Sequence, residues 1–132
     1  MQASTMEEDL INDARVVQVL IVDDQAPFRS VARTVVVLVP GYAVVAEAAS
    51  GEEAVELALA TRPDVVLMDI NLPGMNGIEA TRRIIDDLPD ASVILLSTYT
   101  QGDLPADAAT CGARRYVHKE DFGPDVLRDA RP

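Results

Sequence analysis

Short apolar runs alternate along this chain with segments in which apolar residues recur at helical spacing. Five runs rich in β-branched and other apolar residues predict β-strands, at residues 16–22, 42–48, 65–68, 92–97 and 115–118. Four segments between or after them predict helices, at residues 26–38, 51–61, 77–88 and 123–130. The middle strands are apolar on both faces. This alternation predicts a parallel sheet covered on both sides by helices.

Capping signals support two of the helix starts. Ser50 precedes Glu53 by three positions, and Asn76 precedes Glu79 by the same spacing, so each pair predicts a capping box. In the last predicted helix, Pro124 suits the first turn. That helix is short for one that covers a sheet. The sequence therefore fits either a segment cut from a longer protein or a domain that stands alone.

The segment between the fourth and fifth predicted strands is a poor helix. It holds few large apolar residues, and Pro105 is tolerated only in a first turn. We expect a short, weak helix within residues 104–111 that begins near Leu104 or Pro105. We also expect this segment to be mobile.

Composition narrows the class of protein. The 132 residues suit one domain, with residues 1–14 as a flexible N-terminal tail and residues 15–132 as the folded unit. A net charge of −11 repels phosphate backbones, so this domain is disfavoured as a direct nucleic-acid binder. One cysteine, Cys111, excludes an internal disulfide and favours a reducing, cytoplasmic setting. No apolar run reaches the length of a membrane helix, so we expect no membrane partner.

Polar residues stand at the carboxyl ends of four predicted strands. Asp23 and Asp24 follow the first, Asp69 follows the third, Ser97 ends the fourth and Lys119 follows the fifth. Because these ends meet at one edge of a parallel sheet, we expect the five side chains to converge. Three crowded carboxylates repel one another unless a cation lies among them, and Mg²⁺ suits such an oxygen-rich site.

The same residues suit phosphoryl transfer. A carboxylate can act as a nucleophile and become an acyl phosphate, and Asp69 is the best candidate because it ends the central strand. Ser97 can donate a hydrogen bond to the anion, and Lys119 can pair with it. Taken singly, each residue has a plainer explanation as a helix cap, a turn residue, a strand-end hydroxyl or a surface charge. The joint pattern is what favours a site.

The residues at these strand ends lie in stretches that resemble the receiver domain of bacterial two-component response regulators. The stretches are VLIVDDQ, DVVLMDINLPGMNGIEATRRI, VILLST and GARRYVHKE. MNGIEATRRI and LLSTY most resemble the subgroup with a helix-turn-helix (LuxR/NarL-type) output domain. The resemblance implies a flavodoxin-like (βα)5 doubly wound sandwich, in which a five-stranded parallel sheet has the order 2-1-3-4-5.

The resemblance also implies a role for each matching residue. Asp69 would be the phosphoacceptor, and Mg²⁺ would be held by Asp23, Asp24, Asp69 and the backbone carbonyl of Asn71. Ser97 and Lys119 would contact the phosphoryl group. Ser97 and Tyr116 would form a switch that responds to phosphorylation. Asn71 and Tyr99 would tune the lifetime of the phosphoryl group.

The implied function is a phosphoacceptor signalling domain rather than an enzyme that turns over a separate substrate. A sensor histidine kinase would supply the phosphoryl group, and the surface of the fourth helix, fifth strand and last helix would control an output such as transcription. DNA would be contacted only through an output domain absent from this chain, and a phosphorylation-linked homodimer is one oligomeric state that the resemblance suggests.

Two other functions remain open from the residues. One is a phosphorylation-independent pseudo-receiver that works only as an interaction module, which the complete acid, hydroxyl and lysine set disfavours. The other is a Mg²⁺-dependent aspartyl phosphatase of the haloacid-dehalogenase type. That family needs a second acid two residues after its nucleophile, and Asn71 stands at that position here.

Overall fold

One sheet of five parallel strands organises the chain. The computed structural model describes residues 15–131, so the tail expected at residues 1–14 lies outside the described residues. The strands are β1 (Val17–Val22), β2 (Tyr42–Ala48), β3 (Val65–Asp69), β4 (Ser92–Ser97) and β5 (Arg115–His118). Their order in the sheet is β2-β1-β3-β4-β5, and every neighbouring pair is parallel. The predicted fold class and strand order are confirmed.

Four α-helices connect or follow these strands within residues 15–131. They are α1 (Ala26–Leu38), α2 (Gly51–Thr61), α3 (Gly77–Asp87) and α4 (Pro124–Asp129). In that same part of the chain, no helix combines the length and apolar character needed to cross a membrane.

Alternate residues of each strand point to opposite faces of the sheet, and each face buries its own apolar cluster. On one face, Leu20 of β1 and Met68 of β3 pack with residues of α2 and α3. On the other, Ile21 and Leu67 pack with residues of α1 and α4. The four strand residues are at most 1% exposed. Helices on both faces therefore leave the carboxyl ends of the strands as the open edge, where ligands bind in such sheets.

Both predicted capping boxes form their N-cap bond, but neither forms the reciprocal bond to the N–H of the N-cap residue itself. Ser50 Oγ accepts the N–H of Glu53 at 3.1 Å, and the Glu53 carboxylate accepts the N–H of Ala49 at 2.8 Å. At α3, Asn76 Oδ1 accepts two N–H groups at 3.0 Å. Glu79, however, pairs with two arginines of its own helix instead of reaching back. Each box is therefore an N-cap without its reciprocal bond.

The prediction of a short α-helix within residues 104–111 is wrong. Two 3-10 turns, Gln101–Asp103 and Ala106–Ala109, stand there instead. Leu104 and Pro105 between them are extended, because a residue before proline is pushed out of the helical region and Pro105 offers no N–H. The predicted mobility of this segment stays a prediction.

The last helix packs as its spacing indicates. Val126 and Ala130 are buried, and Phe122 packs against the same apolar cluster from the residue that precedes Gly123. The Tyr42 hydroxyl also donates to the carbonyl of Leu127 at 2.8 Å, which ties α4 to the edge strand β2.

Candidate active site

Three carboxylates meet where β1 and β3 end. Val22 of β1 pairs with Met68 of β3, so the next residues, Asp23 and Asp69, stand side by side. Asp24 follows on the same loop. One carboxylate oxygen from each of the three acids lies within 4.8 Å of the others. The structure thus brings together the acids that the strand ends predicted.

Asp23 is buried at the floor of this cluster and is 1% exposed. Its Oδ1 accepts the N–H of Gln25 at 2.8 Å, and its backbone carbonyl accepts from Arg29 at 2.7 Å. Its Oδ2 makes no aligned hydrogen bond within residues 15–131, although Lys119 Nζ lies 2.7 Å away as an ion pair. The Lys119 ammonium is therefore the positive charge that this buried oxygen faces in the structure.

Asp69 is nearly as buried, at 3% exposure. Its Oδ1 accepts the N–H of Asn71 at 3.3 Å, and its Oδ2 lies 3.6 Å from Lys119 Nζ. Burial, followed by the charges of Asp23 and Asp24, raises the pKa of Asp69 from 3.8 to about 6, against the opposing effects of Lys119 and the Asn71 N–H. The single ammonium of Lys119 therefore does not offset the effects of burial and of the two neighbouring carboxylates on Asp69.

Lys119 reaches the acids from the 3-10 turn Lys119–Asp121 after β5. Its amine also lies over the ring of Phe28, 4.5 Å from the ring centroid. Phe28 packs in turn on Phe122, with 6.2 Å between the ring centroids. We did not predict a role for Phe28 from the sequence. The available signal was an aromatic residue in the first turn of the helix that follows the two acids.

Ser97 lies at the end of β4 but beneath the pocket surface, at 1% exposure. Its Oγ accepts the N–H of Tyr99 at 2.8 Å. The residue before it, Leu96, pairs with Asp69 of β3. Ser97 therefore lies one residue beyond Asp69 along the strand direction, at the same edge of the sheet. On the pocket wall, the position is taken by Thr98.

Two tyrosines link the rim of the site. Tyr99 donates its hydroxyl proton at 3.1 Å to Oδ1 of Asn71, which lines the pocket. The Tyr116 hydroxyl bonds to the backbone carbonyls of Ser97 and Tyr99, and its ring is half-buried against the core. The two predicted tuning residues, Asn71 and Tyr99, are therefore in direct contact with each other. The two predicted switch residues, Ser97 and Tyr116, are also in direct contact.

His118, the last residue of β5, makes a contact with each of its two ring nitrogens. It is half-buried, its Nδ1 accepts the N–H of Glu120 at 3.1 Å, and its Nε2 lies 3.1 Å from the carbonyl oxygen of Thr98. A neutral ring with its proton on Nε2 satisfies both bonds. His118 thus connects the residue after Ser97 to the residue after Lys119.

Glycines bring the loop after β3 close to its neighbours. A Cβ at Gly77 would overlap the carbonyl oxygen of Asp69, and one at Gly51 would overlap that of Met75. The Met75 N–H also bonds to the Glu52 carboxylate at 3.1 Å. This packing holds the loop that carries Asn71 against α2 and α3.

The acids open into a pocket of about 590 Å³. Its wall combines polar groups of the site with an apolar side from α1, and is formed by Asp24, Gln25, Pro27, Phe28, Val31, Asp69, Asn71, Thr98 and Lys119. The donor set fits a hard divalent cation such as Mg²⁺, because three carboxylate oxygens converge within 4.8 Å of one another.

Residues 19–130 match the family described as the response regulator receiver domain. This chain belongs to that family. The match covers all five strands except the first two residues of β1, and the acid cluster at their ends, so the receiver family accounts for the fold and the place of the site together.

The receiver is similar to several curated proteins. It is 40% identical over 114 residues to the transcriptional regulatory protein DegU of Brevibacillus brevis, which covers 86% of this chain and 48% of that protein. It is 39% identical over 115 residues to the response regulator UvrY of Escherichia coli K12, covering 87% and 53%. The chain thus spans about half the length of these relatives.

Solved receiver structures share the fold. A LuxR-family two-component response regulator from Aurantimonas sp. SI85-9A1 aligns with a TM-score of 0.77 and 38% identity, covering 86% of this chain and 81% of that one. The response regulator domain of Thermotoga maritima CheB aligns with a TM-score of 0.78 and 34% identity, covering 88% and 94%. The predicted likeness to the LuxR/NarL subgroup agrees with the first of these.

Proposed function

We propose that this receiver accepts a phosphoryl group on Asp69 from the phosphohistidine of a sensor histidine kinase. The observation that carries the proposal is the convergence of Asp23, Asp24 and Asp69 with Lys119 around one pocket. In the transfer, a carboxylate oxygen of Asp69 forms a bond to phosphorus as the P–N bond of the phosphohistidine breaks. The product is an acyl phosphate, and the kinase histidine leaves as the neutral ring once its other ring nitrogen has taken up a proton from water.

Mg²⁺ is the cofactor that the acid cluster supports best. Asp23, Asp24 and Asp69 would hold it by carboxylate oxygens and Asn71 by its backbone carbonyl. When bound, the cation neutralises crowded negative charge and so favours the ionised, nucleophilic form of Asp69. The raised pKa of Asp69, caused by burial and by the neighbouring acids, supports a role for such charge compensation.

Ser97 and Lys119 are the proposed partners of the new phosphoryl group, which carries roughly −1.5 to −2 of charge and strong acceptor oxygens. Ser97 would exchange its bond with the Tyr99 N–H for a bond to the phosphoryl group, with its hydroxyl now donating. Lys119 would shift from Asp23 toward the phosphoryl oxygens. The change at Ser97 acts on the segment whose backbone carbonyls accept from the Tyr116 hydroxyl.

The proposed switch follows from those contacts. Because Tyr116 bonds to the carbonyls of Ser97 and Tyr99, movement of that segment changes the resting place of the ring. Tyr116 lies on β5, so the signal reaches the surface formed by β5, α4 and the 3-10 segment that replaces the fourth helix of the family. A local charge change thereby biases a two-state surface.

Asn71 and Tyr99 are the proposed tuning pair. Their side-chain hydrogen bond holds Asn71 on the wall of the pocket, which water must enter to hydrolyse an acyl phosphate. The output is proposed to be transcription in the cytoplasm, since DegU is described as a transcriptional regulatory protein. Contact with DNA would then need an output domain outside this sequence. A phosphorylation-linked homodimer is proposed as the active assembly.

Labelling with acetyl [³²P]phosphate tests the proposal. The wild-type chain should take up label in Mg²⁺ and not in EDTA, and Asp69→Asn should abolish the uptake. Asp87→Asn, which changes an exposed acid on α3, is the matched control and should label normally. Equal labelling of the Asp69→Asn and wild-type chains would refute Asp69 as the phosphoacceptor.

A further inference from the structure

The amine of Lys119 touches an aromatic face as well as the two acids. Because this contact is made by a residue outside the acid, hydroxyl and lysine set, we propose that Phe28 is a positioning residue that holds the Lys119 ammonium at the phosphoacceptor site. The inference rests on the proposed phosphorylation of Asp69, and it adds an aromatic support to that site.

The distances define the arrangement. Lys119 Nζ lies 2.7 Å from Asp23 Oδ2, 3.6 Å from Asp69 Oδ2 and 4.5 Å from the Phe28 ring centroid. An ammonium within about 6 Å of a ring centroid is attracted by the negative face of the ring. The Lys119 side chain is only 16% exposed, so water competes weakly for this contact.

Both ends of the contact are held by the fold. The Phe28 N–H bonds to the carbonyl of Gln25 at 3.0 Å in the first turn of α1, and its ring packs into the apolar cluster on that face. Phe122, whose ring meets Phe28, follows the turn that carries Lys119, and its N–H bonds to the carbonyl of Lys119 at 3.3 Å. Phe28 thus contacts the Lys119 amine directly. It also contacts Phe122, which follows the 3-10 turn that carries Lys119.

The ring supplies something that an aliphatic side chain cannot. Leucine would fill much of the same volume but has no negative face toward the ammonium. Carboxylates alone draw the amine toward the buried floor at Asp23. An attraction from the pocket wall, where Phe28 and Lys119 both lie, opposes that pull and keeps the amine beside Asp69.

A fluorination series isolates the electronic contribution of the ring. Fluorine withdraws electron density from the ring face with little change of shape, so the attraction weakens stepwise through 4-fluoro-, 3,5-difluoro- and 3,4,5-trifluorophenylalanine at position 28. We expect the initial rate of Asp69 phosphorylation by acetyl phosphate in Mg²⁺ to fall at each step, to about fivefold below wild type. Phe28→Leu should show a similar loss.

The chain offers matched controls, because Phe28 and Phe122 are its two phenylalanines. The same fluorinated residues at position 122, whose ring is tilted by 51° on Phe28 and does not face the amine, should give no stepwise trend. In a Lys119→Ala background, the series at position 28 should also become flat. Thermal unfolding of each variant checks that the fold is kept.

A spectroscopic readout is independent of phosphorylation. Lys119 is the sole lysine in the sequence, so lysine-labelled protein reports this side chain alone. In the wild type, its ε-methylene protons should resonate upfield because they lie over the ring, and Phe28→Leu should return them to ordinary values. This test needs neither Mg²⁺ nor a phosphodonor.

The outcomes separate the two proposals. A flat rate series at position 28, or ordinary lysine shifts in the wild type, overturns the role of Phe28 even if Asp69 is phosphorylated. Absence of label on Asp69 in the wild type overturns the proposed function, while the lysine shifts still decide whether the ring holds the amine.

Discussion

The Lys119 amine lies 2.7 Å from Asp23 Oδ2 and is nearer to this buried acid than to Asp69. The one lysine of the chain therefore balances an acid at the floor of the site in the absence of a phosphoryl group. An amine in this place can shift by a short distance to a new anion on Asp69.

Lys119→Met should lower the free energy of unfolding in Mg²⁺-free buffer by about 1–3 kcal/mol, because two buried carboxylates lose their cation. Added Mg²⁺ should recover much of that loss, since it binds the same acids. Urea denaturation with EDTA and with Mg²⁺ measures both quantities. Arg114→Met, at an exposed position, is the control. An unchanged stability in EDTA would contradict the ion pairs.

Asp69→Asn should stabilise the fold at neutral pH in Mg²⁺-free buffer. The pKa of Asp69 is raised from 3.8 to about 6, so between these values the folded chain keeps a proton that the unfolded chain loses. The contribution of this carboxyl to stability is therefore full below about pH 4 and is lost as the pH rises through 6.

The amide of asparagine does not titrate and so loses no stability as the pH rises. Between pH 4 and pH 7, the free energy of unfolding of Asp69→Asn should therefore rise relative to that of wild type by up to about 3 kcal/mol. Denaturation at several pH values in EDTA measures this gain. Asp87→Asn should show no comparable pH-dependent gain. A difference between Asp69→Asn and wild type that does not change with pH would show that the carboxyl titrates normally.

Asp24→Asn should weaken Mg²⁺ binding by about tenfold or more while leaving stability nearly unchanged. Asp24 is exposed, so its charge serves the cation site without being buried in the fold. Isothermal titration calorimetry measures the affinity, and Glu56→Gln, at an exposed acid of α2, is the control. Equal affinities for Asp24→Asn and wild type would remove Asp24 from the proposed ligand set.

Gly77→Ala should destabilise the fold by about 1–3 kcal/mol and disturb the phosphoacceptor loop, because the new Cβ would overlap the carbonyl oxygen of Asp69. Gly102→Ala meets no atom within 4 Å and should cost far less. Urea denaturation and labelling by acetyl phosphate measure the two effects. Similar stability of the two variants would show that the loop yields without cost.

His118 should carry its proton on Nε2 when neutral, because Nδ1 accepts the N–H of Glu120 and Nε2 faces the carbonyl of Thr98. It is the only histidine, so nitrogen NMR of the imidazole reports it alone. His118→Phe should speed hydrogen exchange at the Glu120 amide by about tenfold, because that amide loses its hydrogen bond to the ring. Exchange at the amides of the core strand β3 should not change. The Nδ1–H tautomer would contradict the bonding pattern.

The order of elements was predictable from the sequence because it depends on local periodicity. α1, α2, β2, β4 and β5 begin and end where the sequence analysis placed them. The segment at residues 101–112 was harder, since the preference of Pro105 against a helix competes with the usual pattern of the fold. Two 3-10 turns are the result.

By itself, the sequence determined the parallel sheet and the residues at its carboxyl edge. Strand periodicity sets which residues end each strand, and parallel pairing sends Asp23, Asp24, Asp69 and Lys119 to one place. Only the tertiary structure decided that Lys119 lies nearer Asp23 than Asp69, that its amine lies over the Phe28 ring and that His118 joins two loops. Those contacts depend on rotamers and on packing between residues far apart in the chain, which no local pattern encodes.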